Sequence, residues 1–179
     1  MPRRIRYDRL PTERRHPRSQ LLDRLTPRAL LQLMSREDAR AVQAVQRQHA
    51  AISRAIGLIA RALRDGGRLF FLGAGTSGRL GVIEAAECPP TFHTPPSLVQ
   101  ALIAGGRGAV FRSREGAEDR ATEAQRLVRR RVQPGDAVVG IAASGVTRFV
   151  AEGLRAARRR GARTILVTCH PGSTIPAQI

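Results

Sequence analysis

The chain has 179 residues, enough for one ordinary domain and an extra segment, and its 31 basic and 14 acidic residues give a formal charge of +17. All 31 basic residues are arginine, and the chain contains no lysine. Hydrophobic residues make up 42% of the chain, enough for a packed core, so general disorder is excluded. Aromatic residues make up only 3%, too few for a base-stacking surface. We therefore expect no specific nucleic-acid partner, despite the charge.

Cysteine and histidine usage favours a cytoplasmic protein without a cofactor. Cys88 and Cys169 cannot form a disulfide framework, and they suit a reducing compartment. Neither they nor the four histidines show the spacing of metal ligands, so no metal is expected. The longest uncharged run, 88–106, contains four prolines and could not stay helical in a bilayer, so no membrane partner is expected. The N-terminal arginines precede no apolar run and do not resemble a signal peptide.

The pattern of the chain changes near residue 66. This change predicts an N-terminal extended and helical segment over residues 1–65 and a separate domain over residues 66–179. Thr26 before Pro27 predicts the start of a short helix that ends near Met34. Ser35 with Asp38 resembles a capping box that opens a second helix, to about residue 63.

From residue 68 onward, short apolar runs alternate with helical stretches. The runs are 68–72, 99–104, 137–142 and 164–168, and helices are predicted at 78–87, about 117–132 and about 147–160. Such runs are typical of parallel strands that are buried on both faces. The alternation predicts an α/β fold with a doubly wound parallel sheet, which binds its ligands at the carboxyl ends of the strands.

The loop after the first run, 73–78, satisfies the pattern G-x-G-x-x-G. A dinucleotide site would also need an acidic residue after the second strand, where the chain has Ala-Gly-Gly at 104–106. Backbone N–H groups and two hydroxyls at a helix N-terminus instead suit a phosphate monoester. The candidate binding residues are Gly75, Thr76, Ser77 and Gly78. The alternative is a glycine-rich turn with an ordinary N-cap.

The loop after the third run, 142–147, repeats this arrangement with Ser144, Gly145 and Thr147. Two hydroxyl-bearing loops on adjacent strands would point into one crevice, and they predict a small phosphorylated ligand. The alternative is two independent helix caps.

Two glutamates are candidates for acid–base chemistry. Glu87 is predicted to end the first crossover helix, and Glu118 follows the second strand, near the carboxyl edge of the sheet. Carboxylates from different loops can work as an acid and a base when their environments separate their pKa values. Surface carboxylates or helix caps are the alternative reading, and Glu84 and Glu115 compete for the same roles.

These motifs resemble the bacterial N-acetylmuramic acid 6-phosphate etherase family. The matching strings are Gly73-Ala-Gly-Thr-Ser-Gly-Arg-Leu-Gly81, Ala86-Glu-Cys-Pro-Pro-Thr-Phe92, Leu102-Ile-Ala-Gly-Gly106, Glu115-Gly-Ala-Glu-Asp119 and Gly140-Ile-Ala-Ala-Ser-Gly145. They occur in the order and at the spacing of the family, and residues 12–26 are similar too. The string Glu-Cys-Pro-Pro-Thr-Phe is highly specific.

The resemblance implies a sugar isomerase-type (SIS) fold and a homodimer in peptidoglycan recycling. It implies cleavage of the D-lactyl ether of N-acetylmuramic acid 6-phosphate, without a metal, to N-acetylglucosamine 6-phosphate and D-lactate. Glu87 matches the acid that assists departure of the ether oxygen, and Glu118 matches the second catalytic glutamate. A non-catalytic sugar-phosphate-binding regulator is the alternative, and retention of both glutamates favours the enzyme.

Two departures from the family pattern are visible. After Gly145 the family usually has Arg-Thr-Pro, whereas this chain has Val-Thr-Arg at 146–148. Family members also continue well past residue 179, with a last strand and a helical region. The resemblance therefore implies a C-terminally truncated chain, with an inactive fragment as one outcome, and predicts an exposed sheet edge beside the fourth strand.

Overall fold

The computed structural model describes residues 10–173, 175 and 177–179. Its helices are α1 (Pro27–Gln46), α2 (His49–Arg64), α3 (Gly75–Phe92), α4 (Gly108–Phe111), α5 (Ala121–Arg131) and α6 (Arg148–Arg159). Its strands are β1 (Leu69–Gly73), β2 (Val99–Ile103), β3 (Ala137–Ile141) and β4 (Arg163–Val167). Short 3-10 turns lie at Pro11–Glu13, Leu22–Arg24 and Ala117–Asp119. Within this part of the chain, no helix is long and apolar enough to cross a membrane.

The four strands form one parallel sheet in the order β2-β1-β3-β4. Leu69 of β1 is aligned with Val99 of β2 on one side and with Ala137 of β3 on the other. Each strand lies within one residue of a predicted apolar run, so the four predicted strands and the α/β class are confirmed.

Helices cover both faces of the sheet. The side chains of a strand alternate between the faces. Leu69 and Val139 therefore meet α2 and α3, whereas Phe70 and Leu72 meet α5 and α6. The chain thus leaves β1 toward one face, through α3, and leaves β3 toward the other, through α6.

The first N-terminal helix begins where the sequence predicts, but the second begins at His49 rather than near Ser35. Thr26 caps α1, because its Oγ1 accepts a hydrogen bond of 3.3 Å from the N–H of Ala29. The predicted break at Ser35 is wrong. Residues 28–46 contain no Pro or Gly, so nothing stops the helix from propagating, and the chain turns only at 47–48.

The predicted ends of α3 and α5 also need correction. Helix α3 begins at Gly75 rather than at Gly78, and it continues past Glu87 through Pro89 and Pro90. It closes at His93, which has a left-handed conformation and donates its N–H to the carbonyl of Pro89. The helix predicted at 117–132 is divided into the 3-10 turn Ala117–Asp119 and α5.

A buried ion pair ties β1 to β3 at their amino ends. The carboxylate of Asp136 is 2% exposed and accepts hydrogen bonds from the backbone N–H and the guanidinium of Arg68, both at 2.8 Å. It also accepts one of 2.7 Å from the N–H of Gln133. The buried charge is therefore fully paired, as burial of a carboxylate requires.

The outer edge of β4 is partly covered, contrary to the sequence prediction. The N–H of Gln178 donates to the carbonyl of Thr164 at 2.9 Å, and the N–H of Leu166 donates to the carbonyl of Ile179 at 2.7 Å. The side-chain oxygen of Gln178 also accepts from the N–H of Thr164. Residues 177–179 therefore occupy part of the edge that was expected to be open.

Candidate functional site

The strand order creates a crevice between β1 and β3. These strands are neighbours in the sheet, but α3 and α6, which follow them, pack on opposite faces. The loops after the two strands must therefore diverge at the carboxyl edge. In doubly wound sheets, ligands bind at such a switch point. The two loops that the sequence singled out follow β1 and β3, so they lie on either side of this switch point.

The β1 loop (73–78) leads directly into the first turn of α3. An added Cβ at Gly78 would lie 2.6 Å from the Ile103 side chain and 2.7 Å from the Gly73 carbonyl, so only glycine fits there. Thr76 and Ser77 lie inside this turn, where the backbone N–H groups have no acceptor in the helix. The N-cap position belongs to Ala74, which provides no side-chain cap.

The β3 loop (142–147) leads into α6 in the same way. Thr147 occupies the N-cap position but makes no capping hydrogen bond with its side chain. The Ser144 Oγ is 3.4 Å from the N–H of Val146, a long and weak contact. The alternative that the hydroxyls of the two loops serve as ordinary helix caps is therefore wrong for the structure described here.

Residues 168–173, the β4 loop, pack against the β3 loop. The Ser173 hydroxyl donates to the Gly145 carbonyl at 2.7 Å, and the His170 Nδ1 is 3.0 Å from the Ser144 carbonyl. Neither Ser173 nor His170 could be assigned a role from the sequence, because no local motif marks them. Their contacts join residues 26 and 28 positions apart and depend on the pairing of β3 with β4.

The two candidate glutamates belong to elements on different faces of the sheet. Glu87 is exposed on α3, ten residues after Ser77, which is about 15 Å along the helix. Glu118 is exposed in the turn Ala117–Asp119, whose Ala117 is buried in the core beneath α5 and α6. Within one chain, the elements that carry the two carboxylates therefore pack against different faces of the sheet.

Solvent exposure does not distinguish the two competing glutamates from Glu87 and Glu118. Glu84 is exposed on α3, one turn before Glu87, and Glu115 is exposed shortly before Glu118.

Arg79 of α3 has a structural role, because its Nε donates to the carbonyl of Val110 at 2.8 Å and fixes α3 to α4.

Metal-ligating side chains are not clustered in the described ranges. Over residues 10–173, 175 and 177–179, no three His, Cys, Asp or Glu side chains are grouped so that they could hold an ion. Cys88 is partly buried against the core on the α2 and α3 side, and Cys169 is exposed in the β4 loop.

Comparison with protein families shows where the chain belongs. The family described as the glucokinase regulatory protein N-terminal SIS domain matches residues 51–158, which is more than half of the chain. The chain belongs to this SIS-domain family. The matched range contains β1 to β3 and nearly all of α6, and therefore both loops of the crevice in this SIS domain.

Curated relatives agree with the resemblance found in the motifs. N-acetylmuramic acid 6-phosphate etherases from Picosynechococcus and Symbiobacterium thermophilum are each 48% identical to this SIS chain, over 92% and 97% of it. The N-acetylmuramic acid 6-phosphate etherase from Nostoc is 50% identical over 92% of this chain. The matches include 55%, 58% and 54% of those relatives, so the chain spans about half the length of the curated relatives it matches.

Solved structures confirm the SIS fold. A phosphoheptose isomerase from Neisseria gonorrhoeae has a TM-score of 0.58 and is 22% identical, over 78% of this chain and 74% of that one. A phosphoheptose isomerase from Francisella tularensis has a TM-score of 0.59 and is 17% identical, over 83% of this chain and 87% of that one. At this identity, the likeness concerns the fold alone.

Proposed function

We propose that this chain is the sugar-phosphate-binding part of a lyase that cleaves the D-lactyl ether of N-acetylmuramic acid 6-phosphate. The products are N-acetylglucosamine 6-phosphate and D-lactate, and the reaction takes place in the cytoplasm during peptidoglycan recycling. The observation that carries the proposal is the switch point between β1 and β3, where two hydroxyl-bearing loops lead into helices whose N-termini have no side-chain cap. The curated relatives supply the identity of the sugar.

The chemistry follows from the open-chain form of the sugar. Its C1 aldehyde acidifies the proton on C2, so a carboxylate can remove that proton. The electrons of the C2–H bond then form a C2–C3 double bond as the C3–O bond breaks, and lactate leaves with a proton from the second carboxyl group. Water adds to C3 of the unsaturated aldehyde and restores the proton on C2. This scheme requires two carboxyl groups and an anchor for the phosphate.

Glu118 is assigned as the base at C2, and Glu87 as the acid that protonates the departing lactyl oxygen. The reverse assignment uses the same two groups. Because the two glutamates lie on elements that pack on different faces of one chain, a complete site takes Glu87 from a second copy. The proposed enzyme is therefore a homodimer with a shared site.

The exposed face of α3 provides a geometry for this dimer. Leu80 and Ile83 are 52% and 55% exposed, and they share this face with Glu87. In a two-fold pairing of antiparallel α3 helices, residues equally distant from the axis face each other. An axis between Leu80 and Ile83 places Glu87 of one copy opposite Thr76 of the other, at the entrance to the β1 loop.

Helix α1 also presents apolar surface that a second copy could cover. None of its twenty residues is buried, although several are large and apolar. The apolar side chains exposed on α1 and α2 are Leu31, Met34, Val42, Val45, Ile52 and Ile56. An apolar surface of this extent is typical of a protein interface, and burial in a dimer would stabilise α1.

The anchor for the phosphate is tested by Ser144→Ala. We expect binding of N-acetylglucosamine 6-phosphate to weaken about 10- to 100-fold, because a hydrogen bond to a charged group is lost. The weak binding of unphosphorylated N-acetylglucosamine should not change. Calorimetry with both sugars measures the effect, and Ser53→Ala, an exposed serine of α2, is the matched control. An equal loss for both sugars would show that Ser144 does not bind the phosphate.

The reaction itself is tested by D-lactate release from N-acetylmuramic acid 6-phosphate. Two proteins are compared: the 179-residue chain, and a chimera that adds the C-terminal region of the Symbiobacterium relative after its matched residues. Release by either protein supports the lyase. If both bind the substrate and neither releases lactate, the second candidate, a non-catalytic sugar-phosphate-binding regulator, is favoured. The separation of the two glutamates within one chain and the name of the matching family support this second candidate.

A further inference from the structure

We propose that the β4 loop positions the phosphate-binding β3 loop, and that His170 is the positioning residue. The inference rests on the proposed function, because it assigns phosphate binding to the β3 loop. The observation behind it is that three consecutive carbonyls of the β3 loop, at 143, 144 and 145, all bond to the β4 loop.

Each of these carbonyls has a defined donor. The Ala143 carbonyl accepts from the N–H of Cys169 at 3.0 Å and from the hydroxyl of Thr168 at 3.2 Å. The Ser144 carbonyl contacts the His170 Nδ1 at 3.0 Å, and the Gly145 carbonyl accepts from the Ser173 hydroxyl. The backbone of the β3 loop is therefore held from one side by both main-chain and side-chain donors.

These bonds determine which way the N–H groups point. In a trans peptide, the C=O and the following N–H point in opposite directions. Since the carbonyls of Ala143 and Gly145 point toward the β4 loop, the N–H groups of Ser144 and Val146 point away from it. The β4 loop thus directs the N–H groups of Ser144 and Val146 toward the opposite side of the β3 loop, where the Val146 N–H also meets the Ser144 Oγ at 3.4 Å.

Packing leaves the β3 loop little freedom. Gly145 has φ +69°, and an added Cβ would lie 2.8 Å from Ser173 Cβ and 2.9 Å from Thr168 Oγ1. The two loops therefore touch through van der Waals contact as well as through hydrogen bonds.

The contact of His170 fixes the tautomer of its ring. A carbonyl oxygen only accepts hydrogen bonds, so the Nδ1 must carry the proton that the Ser144 carbonyl receives. In its neutral form, His170 is therefore protonated at Nδ1 and unprotonated at Nε2. Nitrogen-15 NMR of the ring at alkaline pH, where imidazoles are neutral, distinguishes the two tautomers. A neutral ring protonated only at Nε2 would contradict the inference.

Two variants separate positioning from general stability. His170→Ala removes the donor, whereas His170→Asn places an amide N–H near the position of Nδ1. We expect His170→Ala to bind N-acetylglucosamine 6-phosphate about 3- to 10-fold more weakly, the loss of one hydrogen bond, and to speed hydrogen exchange at Ser144 and Val146. His170→Asn should restore both, and His49→Ala, an exposed histidine at the start of α2, should change neither.

The outcomes distinguish the inference from the function on which it rests. If Ser144→Ala weakens phosphorylated-sugar binding but His170→Ala does not, the β3 loop binds phosphate without positioning by His170, and the inference is wrong. If His170→Asn fails to restore the affinity that His170→Ala loses, the donor is not what matters, and the inference is also wrong. If the unaltered chain does not prefer the phosphorylated sugar, the proposed function fails, and positioning for phosphate fails with it.

Discussion

Glu87→Gln and Glu118→Gln should each slow D-lactate release by about 10²- to 10⁴-fold, the usual contribution of a general acid or base. Both variants should bind N-acetylglucosamine 6-phosphate nearly as well as the unaltered protein, since neither glutamine removes a proposed phosphate ligand. The measurement is made on whichever form, the 179-residue chain or the chimera, releases lactate. Glu84→Gln and Glu115→Gln are the matched controls, because these two glutamates are neighbours of the assigned pair and are also exposed.

The two variants should differ in exchange of the C2 proton. The variant that lacks the base should lose exchange of this proton with solvent deuterium. The variant that lacks the acid keeps the base, so it can still exchange the proton although the lactyl oxygen leaves slowly. A loss of less than a few-fold in both variants would show that these are structural carboxylates. A large loss in either control would transfer the role to Glu84 or Glu115.

Asp136→Ala should lower the free energy of unfolding by about 3–5 kcal/mol, the cost of breaking a buried ion pair by removing one partner. Asp136 is 2% exposed, and its removal leaves the backbone N–H groups of Arg68 and Gln133 without their side-chain acceptor. The guanidinium of Arg68 loses its carboxylate partner and keeps its hydrogen bond to the Arg131 carbonyl. The matched control is Asp65→Ala. The Asp65 carboxylate pairs with Arg163 at 3.1 Å but is 62% exposed, so its loss should cost less than about 1 kcal/mol.

Urea denaturation of both variants measures these two losses. Equal losses for the buried and the exposed aspartate would contradict the structural role of the Arg68 and Asp136 pair. Since this pair lies at the amino ends of β1 and β3 and the crevice lies at their carboxyl ends, Asp136→Ala should change ligand affinity little at temperatures where the variant remains folded.

The sheet could be predicted because its signal is local. A strand that is buried on both faces must be apolar throughout, and four such runs stand out between glycine-rich turns. Helix ends were harder to predict. The Ser35 capping motif was overridden because no residue in 28–46 stops the helix, and Pro89 and Pro90 were tolerated in the last turns of α3.

The candidate site could be predicted only in part. The two loops could be proposed from glycines and hydroxyls that are adjacent in sequence. The role of His170 could not, because its partner lies 26 residues away on a neighbouring strand. Glu87 and Glu118 were chosen by resemblance to the family, but their separation on different faces becomes visible only when α3 and the turn at Ala117 are packed on the sheet.

A shared site between two copies is tested most directly by mixing the two glutamine variants. The two variants are made in whichever protein, the 179-residue chain or the chimera, releases lactate, and each variant carries a different affinity tag. Purification on both tags in turn isolates the dimers that contain one Glu87→Gln chain and one Glu118→Gln chain. In a shared site, one of the two sites of each mixed dimer retains both glutamates, so the mixed dimer should release lactate at about half the unaltered rate. If each site takes both glutamates from one chain, mixed dimers will be as slow as the single variants, and the shared site will be contradicted.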